Sequence, residues 1–439
     1  MTRKFRGAAL IALGASAALA LTACSGGDDG NGGNGGGSED TNAPVTLHMW
    51  TNASTGPGTE YFAQFAKDVH AKYPNITLDI QNIQNENYDG KLQTAINSGS
   101  APEIFYQRGG GKMGDMVDAG QVLDLTDLIT DETTTAIGDG VLKSEQIDGK
   151  TYAMPYTVTP GGMWYSKDLF QQAGIAANPT TIDELNTAVT QLKAKNITPI
   201  ALGAKDAWPA AHWYYWFALR ECSEDTLNST AKSLKFDDPC WTKAGEDLDT
   251  FAKTQPFNKG FLSTSAQQGA GSSAGQLANH KAAQELMGAW EPGQVASLTP
   301  DQKPLPDLGF YGFPAVNGGQ GDPKAIMGGV DGFSCSAKAP KQACADVLNF
   351  LVTKDTQEQF YKAFQAVPVN KEAQSVVTES YLKEAIAAYN EAPYVSLWLD
   401  TLYGQNVGNA LNTAVVNLLA GKGSVADIIS KVNDSAAKG

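Results

Sequence analysis

Val45-Thr46-Leu47-His48-Met49-Trp50 alternates apolar and polar side chains, the period-2 pattern of a strand with one buried face. Turn residues fill 52–58. Residues 59–72 then place Phe62, Phe65, Ala66 and Val69 at helical spacing. Ile76-Thr77-Leu78-Asp79-Ile80 predicts a second strand and 92–97 a helix. Glu103-Ile104-Phe105-Tyr106 predicts a third strand, running into Gly109-Gly110-Gly111. Strand–helix–strand alternation of this kind predicts an α/β fold with a mostly parallel sheet. Ligands collect beyond the carboxyl ends of such strands, which singles out Trp50-Thr51-Asn52 and Tyr106-Gln107-Arg108.

Downstream, 150–155 and 161–169 predict strands. Thr157-Val158-Thr159-Pro160-Gly161-Gly162 between them is a crossover into a second lobe. Thr181-Ile182-Asp183-Glu184-Leu185 opens a helix with a Thr cap, and its acids suit the positive end. Residues 207–219 are strongly aromatic. Ser273 is expected to cap a helix reaching about residue 287, with Ala289-Trp290-Glu291-Pro292-Gly293 turning after it. A strand at 328–334, helices at 341–353 and 355–364, a connector at 367–370 and helices from 378, 400 and 424 complete the chain. At 439 residues the chain exceeds one ordinary core, so two domains are expected.

Upstream, 25–43 is a Gly/Asn/Ser/Asp tract with nothing to pack, a flexible tether. It contains Gly30-Asn31-Gly32-Gly33-Asn34-Gly35, formally GxGxxG, but no strand precedes it and no helix follows, so it carries no nucleotide reading. Before it stand Arg3, Lys4 and Arg6, a small apolar run over 7–21, and Leu21-Thr22-Ala23-Cys24. That order is a secretory signal, too short for a spanning helix of about 20 residues. Leu-Thr-Ala-Cys resembles the bacterial lipobox, in which the cysteine becomes the lipidated first residue. The expectation is a signal peptide at 1–23, a linker at 24–43, and a chain anchored by lipid at Cys24 to the outer face of the cytoplasmic membrane.

A formal charge of −15 argues against nucleic acid, whose phosphates need a basic face, and against electrostatic docking on anionic lipid. Of five cysteines, Cys24 aside, four fall into two local pairs. In an exported protein these predict Cys222–Cys240 and Cys335–Cys344 disulfides, contributing about 3 and about 2.7 kcal/mol by loop closure. Zinc is the rival reading, but there is no CxxC and no His at ligand spacing from these cysteines. No metal and no cofactor are expected.

Gly271-Ser272-Ser273-Ala274-Gly275 matches GxSxG, yet polar loop precedes it where a nucleophile elbow needs a buried strand. It reads as helix entry. Four histidines (His48, His70, His212, His280) form no HExxH, and no P-loop occurs, so no catalytic residue is named. What stands out is aromatic residues beside short polar ones: Trp50-Thr51-Asn52, Tyr106-Gln107-Arg108, Trp208, His212-Trp213, Trp290-Glu291 and Trp398-Leu399-Asp400. A sugar ring rests its C–H face on an aromatic plane, while its hydroxyl rim needs charged and amide partners. Trp216 and Trp241 are assigned to packing. Trp290, in a Trp-Glu-Pro-Gly turn, is the expected central contact.

The chain resembles the family 1 extracellular solute-binding proteins, the lipoprotein receptors of carbohydrate ABC importers. Besides Cys24, the carriers are Gly161-Gly162-Met163-Trp164-Tyr165-Ser166-Lys167-Asp168-Leu169, Thr181-Ile182-Asp183-Glu184-Leu185, and Ile197-Thr198-Pro199-Ile200-Ala201-Leu202-Gly203 followed by Trp208-Pro209. Leu286-Met287-Gly288-Ala289-Trp290-Glu291-Pro292-Gly293, Gly328-Gly329-Val330-Asp331-Gly332-Phe333 and Leu419-Ala420-Gly421-Lys422-Gly423 complete the set. The resemblance covers nearly all of 45–435.

It implies a two-lobed, type II periplasmic-binding-protein-like fold with a three-segment hinge near 157–160, 326–330 and 367–371. The lobes would be 44–157 with 327–369, and 158–326 with 370–439. Family binding positions match Trp290, the stretch from Trp208 through His212 to Trp213, and the first-strand loop at Asn52. Glu60, Tyr106, Gln107, Arg108, Lys205, Asp331, Trp398 and Asp400, with Glu291, join the implied ligand-binding set. Gln84-Asn85-Glu86-Asn87-Tyr88-Asp89-Gly90-Lys91-Leu92-Gln93 resembles receptors for xylobiose and related β-linked disaccharides. The resemblance thus implies a monomeric receptor that holds a small oligosaccharide and passes it to membrane permease subunits. An exported glycoside hydrolase is the alternative, and a binding module for peptide or cell-wall polymer a third.

Overall fold

The computed structural model describes residues 43–54 and 56–438. The signal segment 1–23, Cys24 and the linker up to residue 42 lie outside the described residues. β1 (Val45–Thr51), β2 (Ile76–Asn82) and β3 (Ile104–Gln107) form close to their predicted places, with β1 parallel to both of the others. Leu47 and Met49 are buried while Thr46 and His48 are exposed, as the alternation demands. The helix Pro57–Lys72 lays Phe62, Phe65 and Val69 into the same core.

β4 (Gln146–Ile147) and β5 (Lys150–Thr151) pair as a short hairpin, and β6 (Met154–Val158) follows. The next strands make a second sheet. β7 (Gly161–Ser166), β8 (Thr198–Ala201), β9 (Ala282–Gly288) and β10 (Leu308–Tyr311) lie in the order β10-β7-β9-β8. β11 (Ile326–Met327) pairs with β14 (Val395–Ser396), while β12 (Val330–Cys335) and β13 (Val367–Pro368) return to the first sheet. That sheet has the order β13-β6-β12-β3-β1-β2. It is mixed rather than mostly parallel, because β12 runs antiparallel to both β3 and β6. β12 follows β11 after only two residues instead of through a helical crossover, so nothing obliges it to run parallel.

Two local expectations are corrected. The strand expected over 161–169 stops at Ser166, whose hydroxyl accepts from the Leu169 amide at 3.1 Å and caps the helix Lys167–Ala173. The helix expected to reach 287 is only Ser273–Ala278, capped by Ser272 instead of Ser273, and Ala282–Gly288 is the strand β9. Ala, Gln, Glu, Leu and Met favour helix, but β9 is buried throughout and paired on both sides, and sheet pairing overrides propensity.

Only Thr159 and Pro160 separate β6 from β7, and only Gly328 and Gly329 separate β11 from β12. These links touch: the Thr159 amide donates to the Gly329 carbonyl at 2.8 Å. A Cβ on Gly328 would stand 2.6 Å from the Thr159 carbonyl, and one on Gly161 2.6 Å from the Trp398 ring. Close backbone approach is what requires glycine there. After Pro368 the chain leaves the first sheet, and the helix Ser380–Glu391 packs on β10.

The helix Trp208–Glu221 is apolar on every side and accordingly buried in the second core, with Trp213, Trp216 and the nearby Trp241 fully enclosed. Both expected disulfides are present. Cys222–Cys240 ties that helix to Pro239–Lys253, and Cys335–Cys344 ties β12 to the helix Lys341–Leu351. No helix among the described residues is long and apolar enough to cross a membrane.

Candidate functional site

Trp208 and His212 stand one helical turn apart at the start of the helix Trp208–Glu221, so their side chains share a face. Their rings are 5.0 Å apart, and His212 stacks on Trp398 at 4.2 Å. Trp290, directly after β9, lies 5.5 Å from Trp398 and 6.2 Å from Trp208, its ring folded back over Gly288, where there is no room for a Cβ. Four rings from three distant chain segments therefore make one aromatic cluster. Trp208 and Trp290 keep partly exposed surfaces, while His212 and Trp398 back them. The indole N–H groups of all three tryptophans and Nδ1 of His212 make no hydrogen bond. Burial lowers the His212 pKa to about 4 against an opposing pull from Asp400, so the imidazole is neutral.

A polar cluster forms at the end of β3. Tyr88 donates its hydroxyl toward the carbonyls of Trp50 and Tyr106, fixing the ends of β1 and β3 side by side. Arg108 then reaches two acceptors, Asp89 Oδ1 through Nε and Asn85 Oδ1 through a terminal nitrogen, each at 2.8 Å. Lys112 donates to the other oxygen of Asp89, also at 2.8 Å. Burial pushes the Asp89 pKa up, but Arg108 and Lys112 outweigh it and hold that carboxyl below the usual range. The guanidinium also lies over the Tyr106 ring, and Asp331 sits beside the Tyr106 hydroxyl. Asn52 donates to Asn85 at 3.4 Å. Glu145, wholly buried under Gly109 with neither oxygen hydrogen-bonded, has its pKa raised by burial and by the nearby Asp331.

The chain after Trp398 meets the segment that follows β3. A Cβ on Gly110 would stand 3.0 Å from the Thr401 carbonyl, and one on Gly111 2.7 Å from the Gly404 amide, so residues 401–404 lie against the start of the helix Gly110–Asp118. Asp400 accepts from the Asn412 amide at 3.2 Å. Gln268, in the loop ahead of the helix Ser273–Ala278, donates to Glu86, in the helix between β2 and β3, at 3.2 Å.

Of the residues named from sequence, Trp290, Trp208, His212 and Trp398 are gathered in one cluster, and Asn52, Arg108, Tyr106 and Asp331 in the other. Three are corrected. Trp213 is stacked on Phe251 at 5.1 Å and hemmed by Phe257 and Phe313, because the helix carrying it is buried all round and residue 213 faces away from 208 and 212. Gln107 is 2% exposed, its amide spent on Met116 Sδ and on the Arg108 N–H. Glu291 is fully buried and faces Glu285. Lys205 and Glu60 are exposed and join neither cluster's hydrogen bonds. Asn85, Asp89, Lys112, Glu145 and Glu285 were missed, since only the fold brings them to Arg108, Gly109 and Glu291. Among the described residues, Asp168, His280 and Asp307 place possible metal-ligating atoms within 4.8 Å of one another, away from both clusters, and Asp307 already accepts from His280 at 3.0 Å.

A family model described as bacterial extracellular solute-binding protein matches residues 52–358. The diacetylchitobiose binding protein DasA of Streptomyces coelicolor is 25% identical over 404 residues, covering 90% of this chain and 89% of its own. Among solved structures, a chitin oligosaccharide binding protein superposes with a TM-score of 0.81 at 24% identity, over 90% of this chain and 98% of that one. One from work on xylan utilization by the thermophilic bacterium Caldanaerobius polysaccharolyticus gives 0.80 at 24%, over 90% and 100%. At that identity the structural likeness is one of fold.

Proposed function

Because the chain belongs to the bacterial extracellular solute-binding proteins, which are receptors and not enzymes, we propose that it is the substrate-binding receptor of a carbohydrate ABC importer, holding a di- or oligosaccharide between its two sheets. The observation that carries this reading is the cluster of Trp208, His212, Trp290 and Trp398, beside which stands the Arg108–Asp89–Asn85 network at the end of β3. Exposed faces of Trp208 and Trp290 offer a platform for the apolar side of a pyranose. Arg108, Lys112, Asp331 and Asn52 offer fixed donors and acceptors for its hydroxyls. Xylobiose or a related β-linked disaccharide is the proposed ligand, supported by the 84–93 segment, which supplies Asn85, Asp89 and the clasping Glu86.

In this reading the lobes are 44–157 with 327–369 and 158–326 with 370–439, and they close by a hinge motion about the touching links at Thr159 and Gly328. The ligand drives closure only through contacts that the shut state alone offers. A monomer tethered by lipid at Cys24 hands the loaded form to membrane permease subunits. The GxSxG serine needs no chemistry: Ser272 caps a helix and Ser273 donates to the Ala266 carbonyl at 3.0 Å.

Intrinsic tryptophan fluorescence titrated with xylobiose, cellobiose and chitobiose tests the proposal. A saturable response at micromolar sugar, largely lost in Trp290→Ala, is expected. Unchanged affinity in that variant removes the central contact, and steady release of monosaccharide overturns the receptor reading.

A further inference from the structure

Two glutamates flank Trp290 in the chain and meet beneath it. Glu285 points from β9, and Glu291 is the first residue of the helix Glu291–Leu298. They are 1% and 0% exposed, they face each other, and no neighbouring donor hydrogen-bonds any of their four carboxyl oxygens. The helix Trp208–Glu221, which packs on β9, carries His212, neutral and stacked on Trp398, and at its far end Glu221 and Arg220, the latter bound to the carbonyls of Phe313 and Ala325. β8 and the helix Ser273–Ala278 carry no ionisable residue, and the latter contributes only the Ser273 hydroxyl beside Glu285. On β7, Trp164 is the cross-strand partner of Glu285, while Tyr165 packs on Phe170 and Tyr311. The helix Lys354–Phe364, which packs on Glu291–Leu298, pairs Lys354 with Glu358 and leaves Asp355 and Lys362 exposed. Its buried Tyr361 accepts from the Thr378 amide at 3.4 Å.

Two carboxylates this close in a dry interior cannot both be ionised. With one proton between them they make a short, charge-assisted O–H···O⁻ bond instead. That bond fastens the first turn of the Glu291–Leu298 helix to β9, and the intervening Gly288-Ala289-Trp290 is held by it. We propose that Glu285 and Glu291 are positioning residues that share one proton and so fix the orientation of Trp290, making ligand affinity persist at acidic and neutral pH and fail at alkaline pH. The inference rests on the reading of Trp290 as a sugar contact. Burial, and for Glu291 also repulsion from Glu285, pushes both carboxyls up, Glu285 to about 8.

The sign of the stability effect follows. The folded pair keeps a proton that the unfolded chain gives up above its ordinary glutamate pKa of about 4.3. Raising the pH from there through about 8 therefore destabilises the fold, and the loss is complete above the folded value. Glu291→Gln supplies a permanent N–H donor to Glu285 and imitates the singly protonated pair at every pH.

Wild type, Glu291→Gln and Glu291→Ala are compared from pH 5 to 9.5 by xylobiose, cellobiose and chitobiose titration and by thermal melting without ligand. In wild type, Kd rises at least tenfold across the alkaline limb and the melting temperature falls. In Glu291→Gln the rise in Kd is under threefold and the melting curve correspondingly flatter, whereas Glu291→Ala loses affinity at every pH. Identical alkaline limbs in wild type and Glu291→Gln overturn the proposal, as does a wild type without such a limb. If no sugar binds at any pH the ligand reading has failed, and the melting comparison still decides whether the pair shares a proton.

Discussion

His212 stacks on Trp398 with ring centroids 4.2 Å apart and planes 18° from parallel. The imidazole is enclosed, and burial sets its pKa at about 4. The unfolded chain takes up that proton near pH 6.5. Stability from a neutral His212 is therefore fully present above about pH 6.5 and drains away as the pH falls through about 4. Replacing His212 by Phe is expected to flatten the acid limb of the unfolding free energy by about 1.4 kcal/mol per pH unit within that window. Urea titrations at several pH values measure the slope, and an equal slope in the variant refutes the assignment.

Trp208 and Trp213 are five residues apart on one helix but face different surroundings. Trp213→Ala should cost about 3–5 kcal/mol of stability, the range for emptying an aromatic site in a core, and leave Kd within about threefold. Trp208→Ala should raise Kd at least tenfold at a much smaller cost in melting temperature. Calorimetry and sugar titration on the two variants separate these effects. The reverse pattern would move the binding surface to the other face of the helix.

The same pair shows what the sequence can and cannot carry. A run of aromatics over 207–219 announces a buried helix, yet period alone does not say which two of its rings join the cluster with Trp290 and Trp398. β1, β2 and β3 are legible because alternation and flanking helices agree on them. β9 is not, since Ala282–Gly288 has the residues of a helix and becomes a strand only through β7 and β8. The turn at Trp290, just ahead of the helix Glu291–Leu298, is legible. Asp89 and Glu285 are not, because their partners stand 19 and 6 residues away in sequence and meet them only in the fold. A charged residue inside the apolar run of β9 is the one trace Glu285 leaves in the sequence.

Arg108 donates to Asp89 and Asn85 at once, which takes a planar fork. Lysine keeps the charge and loses the second contact. Arg108→Lys is expected to weaken sugar binding about tenfold, with the melting temperature less affected than by Asp89→Asn, which strands both Arg108 and Lys112. Titration calorimetry and thermal melting of the two variants provide the check. Retained affinity in Arg108→Lys would make the guanidinium a scaffold for the 85–89 turn alone.

Cys222–Cys240 and Cys335–Cys344 close loops of 18 and 9 residues' separation, within one half of the molecule each. Neither touches the aromatic cluster. Removing Cys222–Cys240 by paired Ser substitutions should cost about 3 kcal/mol on the loop-closure model and leave Kd unchanged. A loss of affinity at constant stability would instead tie the helix Trp208–Glu221 to binding through its far end.

Gln268, ahead of β9 of the second sheet, donates to Glu86, between β2 and β3 of the first, at 3.2 Å. Both atoms sit where water competes, so the bond contributes about 0.5–1.5 kcal/mol at most. Its place matters more than its strength: under the proposed hinge closure, a contact made only when the two sheets are together acts on the rate of opening. Gln268→Ala should therefore speed sugar release up to about tenfold, the rate equivalent of 1.4 kcal/mol, while association is little changed, because mutants of one interface differ mainly in dissociation. Stopped-flow tryptophan fluorescence resolves the two rates. Slower association with unchanged release would mean that Gln268 and Glu86 already touch before the ligand arrives, and that opening is governed instead by the glycine links at Gly161 and Gly328.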